Sequence, residues 1–253
     1  MINLEAAAEK RKSFYPEGHK GYPGVANKNN PKLVYPKDYV CHFCKKSFKD
    51  FKIFQSKLYE SQPMRYDLRK FYTGFMTEWY DIITCPHCYF STFHTYYATP
   101  KPIQKKLIEQ DLANARKSVA LDFSSERCID FVFTSHYLAL ICAPAYLSQG
   151  KQLIAKLWAN LSWLYEEIGD EEMERKAAEN AYLAYETLYT EVRMNPLQEQ
   201  AVCMAAAGMM YRAGLTDNND INKYLYNVKT IKMGEKSYVR MAEDLIETLK
   251  PAH

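Results

Sequence analysis

Apolar and polar positions recur with a helical period over the whole C-terminal part of the chain. After Pro100 and Pro102, apolar residues return every three or four positions, which is typical of helices that bury one face. Gly169 followed by Asp170 marks the end of one helix and the start of the next. The pattern predicts seven helices, at residues 103–121, 126–148, 151–168, 171–193, 197–213, 220–232 and 236–249.

These helices contain a weak internal repeat of large and small side chains. The first copy has the spacing of a tetratricopeptide repeat and consists of Trp158, Leu161, Ser162, Tyr165 and Gly169, with Ala177, Ala181 and Ala184 after them. The second copy is shorter and consists of Ala207, Gly208 and Tyr211, with Ile221, Leu225 and Val228 after them. An ordinary helical bundle, in which the same stripes form the core, is the alternative. Both interpretations predict an α-helical domain over residues 101–253.

Before Pro100 the helical period is absent. Residues 79–84 are rich in β-branched and aromatic residues and predict a strand that leads into Cys85. Residues 16–37 contain four prolines and three glycines, a composition that excludes a helix and resists the interior of a sheet. The charged residues 1–12 predict a short helix, so we expect residues 1–37 to form a short helix and a Pro/Gly-rich arm.

Two cysteine pairs with equal internal spacing stand in this irregular part, Cys41 with Cys44 and Cys85 with Cys88. Two residues between the cysteines let both thiolates of a pair reach one ion, and two pairs complete the tetrahedron that zinc prefers. Iron fits the same cage. The alternative, two separate redox pairs, calls for a βαβ setting that the pattern does not show. We therefore predict a four-cysteine zinc site within residues 38–100.

A cage of four thiolates leaves no coordination position for water or substrate, so the predicted zinc ion is structural. His42 and His87 lie inside the two pairs and His94 follows the second. With four cysteines available, we expect these histidines to point away from the ion. The predicted fold class is mainly α, with a small zinc-ribbon-like β or irregular N-terminal region followed by an α-helical tetratricopeptide-like domain.

Charge is distributed unevenly over the chain. Residues 1–105 contain 17 Lys and Arg against 9 Asp and Glu, a net charge of +8, whereas the remainder contains 16 against 21, a net charge of −5. The two parts either attract each other or are simply solvated, and a nucleic-acid surface is the alternative. The candidate contacts for nucleic acid are Lys45, Lys46, Lys49, Lys52, Lys57, Arg65, Arg69 and Lys70. Alternatively, Arg69 does not contact nucleic acid and instead pairs with Asp67 in a structural role.

Signals that are missing from the sequence bear on the cellular location of the protein and on whether it is an enzyme. No apolar signal segment precedes residue 38, residues 131–147 are too short and polar to span a bilayer, and seven cysteines fit a reducing compartment, so we expect a cytoplasmic protein without membrane insertion. No phosphate-binding glycine loop or nucleophile elbow occurs. Cys128 and His136 lie two helical turns apart among apolar residues and are interpreted as structural. We expect no catalytic residues and no enzymatic activity.

The residues around the cysteines resemble a bacterial family, the domain of unknown function 2225, over about residues 38–250. The resemblance rests on both cysteine pairs together with Lys45-Lys46, Ser56-Lys57-Leu58, Asp67-x-Arg69, Tyr80-Asp81, residues 161–165, Gly169-Asp170 and residues 211–214. It implies a zinc-knuckle region followed by tetratricopeptide-like helices and implies no activity. The family usually has glycine after each second cysteine, where this chain has Lys45 and Tyr89.

Helical repeats of this type usually bind proteins. The leading hypothesis is therefore a protein-interaction or assembly module, with a protein partner bound by the helical domain or by the N-terminal arm. A nucleic-acid-binding or regulatory protein that uses the basic zinc region is the alternative.

Overall fold

A computed structural model of the protein describes residues 14–124, 126–216 and 219–250. The predicted helix at residues 1–12 lies outside these ranges. The fold class is confirmed: the structure is mainly helical, with a small strand-rich region near its N-terminus. Within the described ranges, no helix is both long and apolar enough to cross a membrane.

The chain divides into two compact units. Of the described residues, the first unit contains those up to 59 and those from 72 to 150, and the second contains 60–71 and those from 151 onward. The sequence predicted a boundary at residue 100, but the helices between residues 101 and 150 belong to the first unit. The helix at residues 129–142 contacts the strands over long range, and the helix before it packs on that helix; contacts of this kind have no local sequence signal.

Within the described residues, six short strands form three two-stranded sheets. The strands are β1 (Val34–Val40), β2 (Ser47–Ile53), β3 (Glu60–Gln62), β4 (Phe71–Tyr72), β5 (Ile82–Thr84) and β6 (Ser91–Phe93). β1 pairs antiparallel with β2 from Val34 opposite Ile53 to Val40 opposite Ser47, and β5 pairs antiparallel with β6 from Ile82 opposite Phe93 to Thr84 opposite Ser91. β3 pairs with β4. The strand predicted at residues 79–84 is thus shorter than expected, because residues Thr77–Trp79 form a turn of 3-10 helix.

Among the described residues, the first unit contains three α-helices: α1 (His94–Ala98), α2 (Glu109–Ser118) and α3 (Ile129–Cys142). Both longer helices are shorter than predicted. The helix predicted at 103–121 begins with a separate 3-10 turn at Lys105–Leu107, and the one predicted at 126–148 ends at Cys142. Pro144 explains this second end, since its ring nitrogen has no hydrogen to donate and the chain continues as the 3-10 turn Ala143–Ala145.

The described part of the Pro/Gly-rich arm packs on α3 of its own unit. The Tyr15 hydroxyl lies 2.6 Å from the Thr134 hydroxyl, and the Tyr22 backbone N–H donates to Asp130 Oδ1 over 2.8 Å. The His19 ring lies edge-on to Phe133, with 5.2 Å between ring centroids. Aromatic contacts of this kind order a segment that has no regular secondary structure of its own.

Among the described residues, five helices form most of the second unit: α4 (Gly150–Ile168), whose first residue belongs to the first unit, α5 (Glu171–Glu191), α6 (Pro196–Ala213), α7 (Asn219–Thr230) and α8 (Lys236–Thr248). Their predicted bounds are confirmed to within two residues. Asp170 caps α5 by accepting from the Met173 N–H, and Asn195 forms a capping box with Gln198 at the start of α6. Gly214, at φ 76°, ends α6 in the left-handed conformation that glycine adopts freely.

The core of the second unit combines small and large apolar side chains. Ala159, Ala178 and Ala181 are fully buried and let the helices approach closely. Met209, Tyr224 and Leu225 fill the space that the alanines leave. The segment 60–71 adds Tyr66 and Leu68 at the edge of this core, so a stretch of chain that lies between the two cysteine pairs in sequence packs with the helices.

Candidate metal centre

Each cysteine pair occupies the connection of a β-hairpin in the first unit. Cys41 and Cys44 lie between β1 and β2, and Cys85 and Cys88 lie between β5 and β6. Antiparallel pairing of the flanking strands fixes both ends of each connection. Each pair is therefore presented by a hairpin, as the zinc-ribbon-like prediction required.

The two connections have the same backbone hydrogen bonds. In the first, the Lys45 N–H donates to the Cys41 carbonyl over 3.0 Å and the Cys41 N–H donates to the Lys46 carbonyl over 3.0 Å. In the second, the Tyr89 N–H donates to the Cys85 carbonyl over 2.8 Å and the Cys85 N–H donates to the Phe90 carbonyl over 3.0 Å. The two pairs are thus one local structure built twice, which the equal sequence spacing indicated.

The residue after each second cysteine adopts a left-handed conformation. Lys45 has φ 65° and Tyr89 has φ 63°, values that side chains other than glycine adopt only at a cost of about 1–2 kcal/mol. The backbone therefore makes a left-handed turn at both positions without a glycine. The strain at both positions is held by the paired backbone hydrogen bonds on either side of it.

All four sulfur atoms lie within 4.8 Å of one another. Cys41 Sγ is 3.6 Å from Cys88 Sγ, and Cys44 Sγ is 3.7 Å from Cys85 Sγ. Four sulfurs at zinc–sulfur bonds of about 2.3 Å in a tetrahedron are about 3.8 Å apart. The cluster therefore has the dimensions of a four-thiolate metal site, and its sulfur separations are far longer than the bond of about 2.05 Å in a disulfide.

The thiols of the cluster change one another's acidity. Hydrogen bonds from the thiols of Cys85 and then Cys88 lower the pKa of Cys41, and the hydrogen bond to Cys41 in turn raises the pKa of Cys88. Negative charge thus collects on a buried sulfur, and thiolate is the form that binds a metal. Cys41 and Cys85 are fully buried, which excludes water from that side of the cluster.

The three nearby histidines make other contacts. His87 Nε2 lies 3.1 Å from the Ser47 carbonyl oxygen, and the His42 ring packs against the Tyr97 ring at a centroid distance of 4.8 Å. His94 Nδ1 lies 3.8 Å from Asp81 Oδ1. Among the described residues, the potential ligand cluster contains the four cysteines alone.

The remaining cysteines lie away from this cluster. Cys142 and Cys203 are fully buried, and burial raises the pKa of each thiol to about 12. Cys128 is exposed at the residue before α3. His136 is fully buried within α3, where its Nδ1 hydrogen bonds to the Val132 carbonyl over 2.8 Å. Cys128 and His136 thus lie in different environments, one exposed and one buried.

Three of the eight basic residues considered for nucleic acid are engaged by carboxylates in the second unit. Arg65 and Arg69 both bind Glu166, and Lys70 Nζ lies 2.7 Å from Glu60 Oε1. Asp67 accepts from Arg65 and from the Arg69 backbone N–H, so the structural pairing that the sequence left open does occur. The other five belong to the first unit, where Lys57 Nζ lies 4.1 Å from the centre of the Phe54 ring.

A cavity of about 550 Å³ opens beside the first cysteine pair. Cys41, His42 and Lys45 contribute to its wall together with residues of β1 and of the segment that follows α1. Lys37, Lys101 and Lys105, which also line it, have no motif in the sequence that marks them as functional. Only the fold brings them together, since the stretches that carry them are more than fifty residues apart in the chain.

Comparison with known proteins identifies a family for most of the chain. Residues 34–250 match the model of a family described as "Uncharacterized protein conserved in bacteria (DUF2225)". No curated protein and no solved structure matches the chain. The match includes both cysteine pairs and all the helices from α1 to α8, and it leaves the arm before residue 34 outside.

Proposed function

The chain belongs to the bacterial DUF2225 family, and we propose that it is a non-enzymatic protein-interaction or assembly module built around a structural zinc ion. The observation that carries the proposal is the closed cluster of Cys41, Cys44, Cys85 and Cys88. Four sulfurs at these distances fill a tetrahedral zinc ion and leave no position for a substrate. In this proposal the four-cysteine cluster stabilises the fold and does not act on a substrate.

The geometry of the cysteines supports zinc as the resident ion, with iron as the alternative in the same cage. The ion links the β1–β2 hairpin to the β5–β6 hairpin, two elements too small to be stable alone. Metal binding contributes on the order of 10 kcal/mol to folding in small metal domains. All seven cysteines are outside disulfides, which supports a reducing location such as the cytoplasm.

Further observations support the absence of catalysis. Cys142 and Cys203 are buried thiols whose pKa values of about 12 keep them protonated, so they are poor nucleophiles. Burial also lowers the pKa of His136 to about 4, and its Nδ1 is engaged by the backbone. Cys128 and His136 do not have the contact that a nucleophile and its base require.

The helical unit supports the interaction role through its packing and its surface. Leu161, Ser162 and Tyr165 of α4 are fully buried, and Ala177 and Ala181 of α5 are small and buried, as nested helices of a tetratricopeptide-like repeat require. The same unit exposes large apolar side chains, among them Leu183, Leu197, Tyr211, Tyr226 and Met233. Exposed aromatic and aliphatic side chains of this kind are common where a partner binds.

Purification of the chain from its native cell at natural abundance, followed by mass measurement of the intact assembly, tests the proposal. We expect a second protein in the assembly and one zinc ion per chain. Recovery of a metal-free chain, or of a monomer without a partner, would contradict the proposal. The same preparation distinguishes zinc from iron by elemental analysis.

Nucleic-acid binding is the alternative function, and Lys45, Lys46 and Lys49 support it because they are exposed next to the first cysteine pair. Its candidate surface is smaller than the sequence indicated, since Arg65, Arg69 and Lys70 are paired with carboxylates. Binding of single-stranded or duplex oligonucleotides to the whole zinc-loaded chain, with an affinity that falls steeply as salt rises, is the expected result for this alternative. No binding at low salt would eliminate it.

A further inference from the structure

Four lysines surround the cavity beside the first cysteine pair, and we refer to Lys37, Lys45, Lys101 and Lys105 as the lysine pocket. Lys37 comes from β1, Lys45 follows Cys44 directly, and Lys101 and Lys105 follow α1. Asp38 is the one carboxylate in the wall, so the lining has a formal charge of +3. The whole pocket lies within the first compact unit.

These lysines have no carboxylate partner among the described residues: no carboxylate forms an ion pair with any of the four. Asp50 stands opposite Lys37 in the β1–β2 register, but its Oδ1 binds Arg127 Nη2 at 2.5 Å. Four thiolates with a divalent ion have a net charge of −2, which offsets part of the excess and leaves the pocket positive. Like charges held close together destabilise a fold unless a counter-charge joins them.

We propose that the lysine pocket binds a phosphate-bearing ligand of about nucleotide size. Ammonium groups are compact charges that pair well with phosphate oxygens. The cavity volume of about 550 Å³ lies within the range of small-ligand sites, about 300–1,000 Å³. Tyr39, Tyr97 and Ile103 in its wall offer apolar surface to an uncharged part of the ligand. This inference is independent of the proposed interaction role.

The metal site makes the pocket rigid on one side. Cys41 belongs to both the cluster and the cavity wall, and the backbone of Lys45, from which its side chain extends, is fixed by the hydrogen bond of its N–H to the Cys41 carbonyl. Lys105 Nζ donates to the carbonyl of Phe43, which lies between Cys41 and Cys44. Groups that are already in place lose little conformational entropy when a ligand binds, which favours affinity.

Calorimetric titration of the zinc-loaded full chain with pyrophosphate, ATP, adenosine and citrate tests the proposal. Lys37→Gln with Lys101→Gln removes two charges from the lysine pocket without touching the Lys105–Phe43 contact. The control pair, Lys46→Gln with Lys106→Gln, removes two exposed charges from neighbouring positions that do not line the cavity. Zinc content is measured before and after each titration, because pyrophosphate also binds metals.

We expect pyrophosphate and ATP to bind the wild-type chain at about 150 mM salt and adenosine not to bind. The double variant Lys37→Gln with Lys101→Gln weakens the binding of pyrophosphate and of ATP by about tenfold or more. The control double variant changes either affinity less than about threefold. Tighter binding of ATP than of pyrophosphate identifies a nucleotide, and equal binding identifies the phosphate groups alone as the recognised part. The proposal is overturned if neither phosphate binds, if citrate binds equally well, or if both variant pairs lose the same affinity.

A single-stranded oligonucleotide of twelve residues separates the pocket from a broader basic surface. If the lysine pocket is the site, the oligonucleotide binds no more tightly than ATP and competes with it. Tighter oligonucleotide binding that both variant pairs weaken equally would assign the lysines to a nucleic-acid surface and overturn the proposal.

Discussion

Arg65 and Glu166, 101 residues apart in the chain, form an ion pair with two parallel hydrogen bonds. Arg65 Nη1 lies 2.6 Å from Oε1, and Nη2 lies 3.0 Å from Oε2. Arg69 Nη1 binds Glu166 Oε2 as well, over 2.6 Å. Burial by itself raises the pKa of Glu166, but the hydrogen bond from Arg65 and the charges of Arg212, Arg65 and Arg69 lower it to about 2. Glu166 is therefore the anion that holds segment 60–71 on the helices.

Replacement of Glu166 by glutamine leaves three guanidinium groups short of a counter-charge. Breaking a buried ion pair from one side costs about 3–5 kcal/mol, and we expect about 2 kcal/mol here because 30% of the Glu166 side chain is exposed. Urea unfolding at pH 7 measures the change. Glu167→Gln is the matched control, since Glu167 is more exposed and lies 3.8 Å from Arg69, and we expect less than about 0.5 kcal/mol. Equal losses in the two variants would contradict this role of Glu166.

Gly208 allows the same segment to approach α6. A Cβ atom at this position would lie 2.6 Å from the Asp67 backbone nitrogen and still closer to the Tyr66 carbonyl oxygen. Backbone atoms cannot move aside cheaply, so we expect Gly208→Ala to destabilise the chain by about 1–3 kcal/mol. In a helix without this contact, alanine would instead stabilise by about 1 kcal/mol, so the sign of the change is the test.

Gly24→Ala is the control for Gly208, because a Cβ at residue 24 meets nothing within 4 Å. Thermal unfolding followed by circular dichroism compares the two variants. A stabilised Gly208→Ala protein would show that segment 60–71 does not lie against α6.

The sequence predicts the helices of the second unit well because their signals are local. Asp170 caps α5, and Gly169 beside it has φ 75°, the left-handed value that the Gly169-Asp170 pair indicated. The four cysteines were predictable for a similar reason, since the spacing within each pair is itself the geometric requirement of a knuckle. Signals of this kind need no knowledge of the rest of the fold.

The association of segment 60–71 with the helices was not predictable from the sequence. Its anchors are Arg65, Asp67 and Arg69, which are basic and acidic residues without periodicity, and their partners lie about a hundred residues away. Charged residues in a loop look alike whether they are solvated or paired, so Arg65 and Arg69 were equally suitable as nucleic-acid contacts. The packing of α3 with the strands has the same long-range character.

Cys85→Ser removes one sulfur from the cluster and tests the metal. We expect the zinc content of the purified chain to fall from one ion per chain to nearly none, and the β1–β2 and β5–β6 hairpins to lose their order. Elemental analysis and amide hydrogen exchange of the two hairpins measure these changes. Cys128→Ser is the matched control, because Cys128 is exposed and stands outside the cluster. Full zinc occupancy in the Cys85→Ser protein would contradict the four-cysteine site.

His136 gives the first unit a defined sensitivity to acid. Burial lowers its pKa from 6.5 to about 4, although the hydrogen bond to Val132 and the charge of Asp81 raise it and the charge of Arg127 lowers it further. Between pH 6.5 and about pH 4 the folded chain therefore holds His136 neutral, whereas the unfolded chain already binds a proton there. Since the unfolded state binds more protons in this window, stability rises with pH there and is lost as the pH falls from 6.5 toward 4.

His136 lowers the free energy of unfolding by about 1 kcal/mol at pH 5.5 relative to pH 7.5. Below pH 4 this decrease approaches about 3 kcal/mol. His136→Leu removes the titrating group from the core, so its free energy of unfolding should depend less on pH between 7.5 and 5.5 by about 1 kcal/mol. Denaturant unfolding at both pH values, with zinc content checked at each, measures the difference. Glu166 does not interfere, because its lowered pKa places its own contribution below pH 4.5. If wild type and variant lose stability equally, His136 is not the buried neutral histidine described here.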